Sequence, residues 1–61
     1  MNEDIERSQR VNDLADALIN DQHVSRWDIM PFRYELREKL QEHEDALYTL
    51  EYLIESALES L

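Results

Sequence analysis

Hydrophobic residues recur along this chain at intervals of three and four positions, which is the spacing of one face of an α-helix. The first such face is shared by four residues: Val11, Leu14, Ala15 and Leu18. Ile19 flanks this face, whereas Ile5 lies well away from it. The pattern predicts a first helix from Glu3 to about Asn20.

A longer periodic stretch follows Pro31 and has the spacing of a heptad repeat. Its seam has eight members: Leu36, Leu40, His43, Leu47, Leu50, Ile54, Ala57 and Leu61. The repeat predicts one continuous helix of roughly 30 residues, about 45 Å long, from Pro31 onward. His43 is the polar member of the seam, and we interpret it as the residue that sets the register of helix pairing. A buried pH switch is the alternative, since imidazole titrates near neutrality.

The segment between the two periodic stretches, residues 20–31, predicts a helix end and a new start. Asn20 and Asp21 are typical helix-ending residues, and Ser25 with Asp28 matches a capping box. Proline fits best in the first turn of a helix, so a short helical turn is expected just before Pro31. The aromatic residues of this connector, Trp27 and Phe32, predict either a plug over the core or an exposed contact site.

These elements predict an all-α fold, a helical hairpin of one domain over residues 1–61 with a short helix, an aromatic connector and a long helix. The chain has no glycine, which tight turns between strands usually need. A first helix of about 27 Å cannot cover a second of about 45 Å, so the C-terminal turns would be bare. We therefore expect a homodimer that forms a four-helix bundle, with a monomer docked on a larger protein as the alternative.

Charge then narrows the classes of partner. Asp and Glu number 15 against 6 Lys and Arg, a formal net charge of −9. Direct binding to nucleic acid or to an anionic membrane is disfavoured, because both need cationic groups, and a basic protein partner is favoured. The chain has no cysteine, no apolar membrane-spanning stretch and no apolar leader at its start. We expect a cytoplasmic protein.

The acidic residues of the second periodic stretch predict an interaction face. Its seven members are Glu35, Glu38, Glu42, Asp45, Glu51, Glu55 and Glu59. From Glu42 onward the sequence holds no lysine or arginine, and Tyr48 and Tyr52 form an i,i+4 pair among the acids. One interpretation is a solubilising surface. The other is a surface that imitates phosphates, as in small acidic phage proteins that occupy the DNA channel of a host enzyme.

No catalytic or metal constellation is predicted, and we expect neither enzymatic activity nor a cofactor. The two histidines lie in separate segments, which does not make a zinc site. The fragment Glu42-x-x-Asp45 resembles the acidic motif of the MazG-like nucleotide pyrophosphohydrolases, which implies magnesium-dependent hydrolysis. The paired Glu-Glu-x-x-Glu motif of that family is absent from this chain.

A second resemblance concerns the stretch LQEHEDALY, residues 40–48. It is similar to part of the second helix of Rop-like plasmid copy-number regulators, through Leu40, His43, Asp45, Leu47 and Tyr48. The resemblance implies a helical hairpin that dimerises and binds RNA through the first helix. Here the predicted first helix carries only Arg7 and Arg10 against five carboxylates.

Three functions follow as expectations, all of them non-enzymatic. The first is a small acidic modulator, of the phage-inhibitor or DNA-mimic type, that blocks a basic nucleic-acid-binding surface. The second is a structural or adaptor subunit that binds through Trp27, Phe32 and the C-terminal leucines. The third is a Rop-like RNA regulator.

Overall fold

The structure, a computed structural model, describes residues 2–61, and these residues form helices and no strand. The elements in chain order are α1 (Asn2–Ile19), α2 (Arg26–Ile29), a 3-10 turn (Met30–Phe32), α3 (Arg33–Lys39) and α4 (Glu44–Glu59). The prediction of an all-α chain is confirmed. Since α2, the 3-10 turn and α3 follow one another directly, the chain passes through three helical segments.

Helix α1 matches its sequence prediction in position and in buried face. Val11, Ala15 and Leu18 are buried, and Ile5 is exposed as its position off the face predicts. The helix ends in a Schellman motif, in which the Gln22 N–H donates to the Ala17 carbonyl over 2.8 Å. Asp21 adopts the left-handed conformation that this motif requires, with φ of 57°. A polar residue at this position stops the helix without a glycine.

The connector follows its sequence signals in part, since Ser25 caps α2 through Trp27 and not through Asp28 of the predicted capping box. The Ser25 hydroxyl accepts a hydrogen bond from the Trp27 backbone N–H at 3.3 Å and so caps α2. Pro31 lies at the start of the 3-10 turn, where its missing N–H leaves no intrahelical bond unmade. Ile29 is fully buried and joins this short segment to the core.

The prediction of one continuous helix after Pro31 is wrong. Helix α3 ends at Lys39, and α4 begins only at Glu44. Arg37 and Glu51, 14 positions apart, approach to 2.5 Å. In a straight helix the same two positions would be roughly 21 Å apart along the axis. The chain therefore folds back between α3 and α4.

The turn at residues 40–43 explains where the seam prediction holds and where it fails. Five of the eight seam residues are buried within the chain: Leu36, Leu40, Leu50, Ile54 and Ala57. Leu47 is half-buried. His43 is exposed and precedes α4 with non-helical dihedral angles, so its assignment to a buried seam is wrong. Leu61, 86% exposed, also lies outside the core.

The fold-back removes the length mismatch that favoured a dimer. Helix α4 has 16 residues and is about 24 Å long, close to the roughly 27 Å of the 18-residue α1. Each can cover the other within one chain. The homodimeric four-helix bundle stays a prediction, for which Leu58 and Leu61 at the end of α4 remain exposed apolar candidates.

The core lies where α1, α2, α3 and α4 meet. Its buried members are Val11, Ala15, Leu18, Ile29, Leu36, Leu40, Ala46, Leu50 and Ile54. Leu14, Val24, Met30, Phe32, Leu47 and Leu53 are partly buried against them. Among residues 2–61, no helix combines the length and the apolar composition needed to cross a bilayer.

Candidate protein-interaction surface

The structure separates the seven carboxylates predicted to form one acidic face. It distributes them over three elements: Glu35 and Glu38 on α3, Glu42 in the turn, and Asp45, Glu51, Glu55 and Glu59 on α4. Because α3 folds back on α4, these residues do not form one continuous helical row. Two of them, Glu35 and Glu51, are already paired with arginines of the same chain.

Arg7 of α1 holds the start of α3 through three contacts. Its guanidinium donates to the Glu35 carboxylate at 2.6 Å and to the Pro31 carbonyl at 3.2 Å. It also lies over the Phe32 ring, with 4.8 Å between the guanidinium carbon and the ring centroid. Phe32, predicted either as part of a plug over the core or as an exposed contact, is partly buried against the core and covered by a cation of its own chain.

Arg37 of α3 also binds a carboxylate of another helix, that of Glu51 on α4. Its Nε and one terminal nitrogen donate to the two carboxylate oxygens of Glu51, at 2.5 and 3.2 Å, which is a bidentate arrangement. This hydrogen bond lowers the pKa of the Glu51 carboxyl and raises that of the Arg37 guanidinium. Glu51 is thus engaged in holding α3 against α4, which distinguishes it from the other carboxylates of α4.

The remaining polar side of α4 forms the surface that we call the α4 outer face. It has six members: Glu44, Asp45, Tyr48, Tyr52, Glu55 and Glu59. At about 100° per residue these positions fall within roughly 100° of one another around the helix. The buried residues of α4, Ala46, Leu50, Ile54 and Ala57, lie on the opposite side. The core therefore fixes which way this face points.

The α4 outer face carries four carboxylates and no cation. Within the part of the chain that the structure describes, none of these four carboxylates has an ion pair. Lys39 is the last lysine or arginine in the sequence, so α4 itself contains no lysine or arginine that could pair with these carboxylates. Tyr48 and Tyr52 stand among the acids with 78% and 65% of their surface exposed.

A shallow concavity lies on the C-terminal part of this face. It is lined by Tyr52, Glu55, Ser56 and Glu59. Ser56 is half-buried, and its hydroxyl accepts a hydrogen bond of 2.7 Å from Arg26. Arg26 itself lies over the Trp27 ring at 5.3 Å and ties α2 to α4. The concavity thus has one aromatic wall, two carboxylates and a hydroxyl group.

The predicted aromatic contacts divide in the same way as the carboxylates. Trp27 is half exposed and Phe32 lies beneath Arg7, whereas the rings of Tyr48 and Tyr52 have no guanidinium over them among residues 2–61. Sequence reasoning left Glu44 out of the predicted face. Its i,i+4 spacing from Tyr48 is the signal that places it there.

Residues 2–61 contain no group of three or more histidine, cysteine or carboxylate side chains arranged to hold a metal ion. Glu42 lies in the turn and Asp45 in the first turn of α4, and both are exposed. His23 and His43 are also exposed and lie in different connections between helices. No family model, curated protein or solved structure matches this chain, so its surfaces are interpreted from their own geometry and charge.

Proposed function

We propose that this protein is a non-enzymatic modulator that binds a basic protein through the α4 outer face. The partner surface is one that otherwise binds nucleic acid, so that the two compete. The observation that carries the proposal is a helix face with four exposed carboxylates and two exposed tyrosines, on a helix that contains no lysine or arginine.

The spacing of these carboxylates supports a phosphate-like role. Residues one helical turn apart are about 5.4 Å apart along the axis, which is of the order of the separation of phosphates on a nucleic-acid strand. Glu55 and Glu59 are one turn apart and repel each other by a few tenths of a kcal/mol. A helix whose charges served only solubility would gain stability from i,i+4 pairs of opposite charge. Helix α4 has no such pair, because it contains no lysine or arginine.

The test uses two variants of equal net charge. In the α4-neutral variant, Glu55→Gln and Glu59→Gln remove two carboxylates from the α4 outer face. In the α1-neutral variant, Asp13→Asn and Asp16→Asn remove two exposed carboxylates from α1. Both pairs lie outside the ion pairs of the chain, so the fold should survive in each.

Proteins retained from a cell lysate by the wild type and the α1-neutral variant, but not by the α4-neutral variant, are the candidate partners. Each is then bound to labelled DNA or RNA and titrated with the wild type. We expect nucleic acid to be displaced, and the apparent affinity to fall between about 50 and about 200 mM salt. A partner that keeps its nucleic acid, or binding that ignores salt, contradicts the proposal.

A second candidate function, that of an adaptor, is favoured by exposed apolar side chains on α2 and at the end of α4. Trp27 is 50% exposed, and Leu58 and Leu61 are also accessible. In this case Trp27→Ala together with Leu58→Ala should abolish partner binding, while the α4-neutral variant should bind normally. The modulator predicts the reverse. Sedimentation tests a homodimer at the same surface, since only a species above 7.4 kDa supports it.

A further inference from the structure

We propose that the α4 outer face selects arginine over lysine on its partner, with the guanidinium stacked on Tyr48 or Tyr52 and bound by neighbouring carboxylates. The inference rests on the proposed function, since it names the chemistry of the surface that α4 would meet. Its occupant is an exposed arginine side chain of a basic protein.

The chain itself shows how such a site works. Arg37 lies 5.8 Å from the Tyr34 ring centroid while its guanidinium binds both carboxylate oxygens of Glu51. Arg33 also lies over the Tyr34 ring, with 4.6 Å between its guanidinium carbon and the ring centroid. One tyrosine ring and one glutamate thus contact the same guanidinium on this protein's surface.

The contact between a ring and a guanidinium recurs at every aromatic residue outside α4, and at Phe32 and Tyr34 an arginine over the ring also binds a carboxylate. Phe32 carries Arg7, Trp27 carries Arg26, and Tyr34 carries Arg33 and Arg37, so four of the five arginines lie over a ring. The remaining aromatic residues, Tyr48 and Tyr52, have the highest exposure of the five and no guanidinium over them within residues 2–61. They are the rings for which the chain supplies no arginine.

Carboxylates lie within about one helical turn of both rings. Glu44 and Asp45 precede Tyr48 by one helical turn, and Glu55 follows Tyr52 by three residues. Tyr52, Glu55 and Glu59 line the concavity described above, so a planar group entering it would have both a ring and carboxylate acceptors in its surroundings. The carboxylates alone would attract any cation, whereas the tyrosine rings favour arginine over lysine.

Arginine fits this arrangement better than lysine for two reasons. Its guanidinium is planar and weakly hydrated, so it stacks on a ring while its N–H groups still donate to carboxylates. The ammonium of lysine is compact and strongly hydrated, and acts chiefly as a point charge. Cation–π contacts at exposed sites favour arginine accordingly.

The experiment measures fluorescence anisotropy of labelled oligoarginine and oligolysine peptides of equal length, titrated with the full chain at one low salt concentration. We expect oligoarginine to bind at least about fivefold more tightly than oligolysine, from stacking on two exposed rings. Shifts of the Tyr48 and Tyr52 ring resonances, with Tyr34 unchanged, should accompany binding of oligoarginine.

Two variants separate stacking from charge. Tyr48→Leu with Tyr52→Leu keeps apolar surface and helix propensity but removes the rings, and should bring the ratio of the two affinities close to one. Tyr48→Phe with Tyr52→Phe keeps the rings and should preserve the ratio. Both tyrosines are largely exposed, so neither change disturbs the core.

The outcomes distinguish this inference from the proposed function. Equal affinity of the wild type for both peptides overturns the arginine preference and leaves binding to a basic surface intact. An arginine preference that survives in the leucine variant also overturns it. Failure of both peptides to bind overturns the proposed function as well.

Discussion

The segment from Arg26 to Lys39 and helix α4 contain the same kinds of side chain and treat them in opposite ways. In the first, three arginines lie over aromatic rings, and one of them, Arg37, also binds the carboxylate of Glu51 on α4. In α4, two tyrosines and four carboxylates share one face, and within residues 2–61 no guanidinium lies over the two rings and the carboxylates have no ion pair. The difference shows that the aromatic rings outside α4 have an arginine of their own chain over them, whereas those of α4 have none among residues 2–61.

The carboxylates of these two regions include some that form ion pairs between helices and others that have no ion pair within residues 2–61. Glu35 and Glu51 tie helices together, whereas Glu55 and Glu59 contact no cation in the described part of the chain. Reversal of the charge at Glu51 would therefore disturb the fold and confuse a binding test. Substitution of Glu55 and Glu59 therefore tests binding without removing an ion pair that stabilises the fold.

The largest expected effect comes from truncating the buried leucine at the turn that separates α3 from α4. Leu40 is fully buried at the turn between α3 and α4. Leu40→Ala should lower the free energy of unfolding by about 2–5 kcal/mol, as for other large core truncations, which in a chain this small means loss of most structure. Thermal or urea unfolding followed by circular dichroism measures this.

Leu61→Ala is the matched control for that substitution. Leu61 is almost wholly exposed, so its truncation should change stability by less than about 0.5 kcal/mol. A continuous second helix with a heptad seam would make the two residues equivalent. Equal losses from both variants would contradict the folded-back arrangement of α3 and α4.

The sequence predicts α1, the Ser25 cap and the place of Pro31 because each depends on local signals. It does not predict the turn at residues 40–43, because neither glycine nor proline marks it and leucines keep three- and four-residue spacing on both sides. Charge was the available signal. Arg37 and Lys39 in the last turn of α3 and Glu44 and Asp45 in the first turn of α4 each complement a helix dipole.

The candidate surface was predictable only in outline. A cation-free stretch after Lys39 is visible in the sequence, and Tyr48 and Tyr52 lie within it. Which carboxylates are free depends on contacts between residues far apart in the chain, such as Arg7 with Glu35 and Arg37 with Glu51. Helical periodicity carries no information about those contacts.

A smaller effect sharpens the comparison between paired and unpaired carboxylates. Glu51→Gln removes the ion pair with Arg37 and should lower the free energy of unfolding by roughly 0.2–1 kcal/mol, since both groups are partly exposed. Because the hydrogen bond from Arg37 lowers the pKa of Glu51, this stabilisation is present above the usual glutamate pKa of about 4.3. It is lost as the pH falls through the lowered pKa.

The pH dependence supplies the check. The difference in stability between wild type and Glu51→Gln, measured by urea unfolding, should be largest near neutral pH and should shrink on acidification below about pH 4. A difference that grows on acidification would show that the Arg37–Glu51 pair does not stabilise the fold in solution.

The smallest expected effect has the opposite sign. Glu55→Gln removes repulsion with Glu51 and Glu59, each one turn away, and should raise the free energy of unfolding by a few tenths of a kcal/mol. The same chemical change one turn apart on one helix is thus expected to weaken the fold at Glu51 and to strengthen it at Glu55. A loss of stability at Glu55 comparable to that at Glu51 would remove the distinction between the two regions.

The most direct test of the central claim is the affinity of the two charge-matched variants for a labelled oligoarginine peptide at low salt. The claim is that the α4 outer face, rather than the net charge of −9, binds the partner. The α4-neutral variant should bind roughly threefold to tenfold more weakly than wild type, and the α1-neutral variant nearly as tightly as wild type. Equal weakening of both variants would show that total charge alone governs binding and would contradict the account.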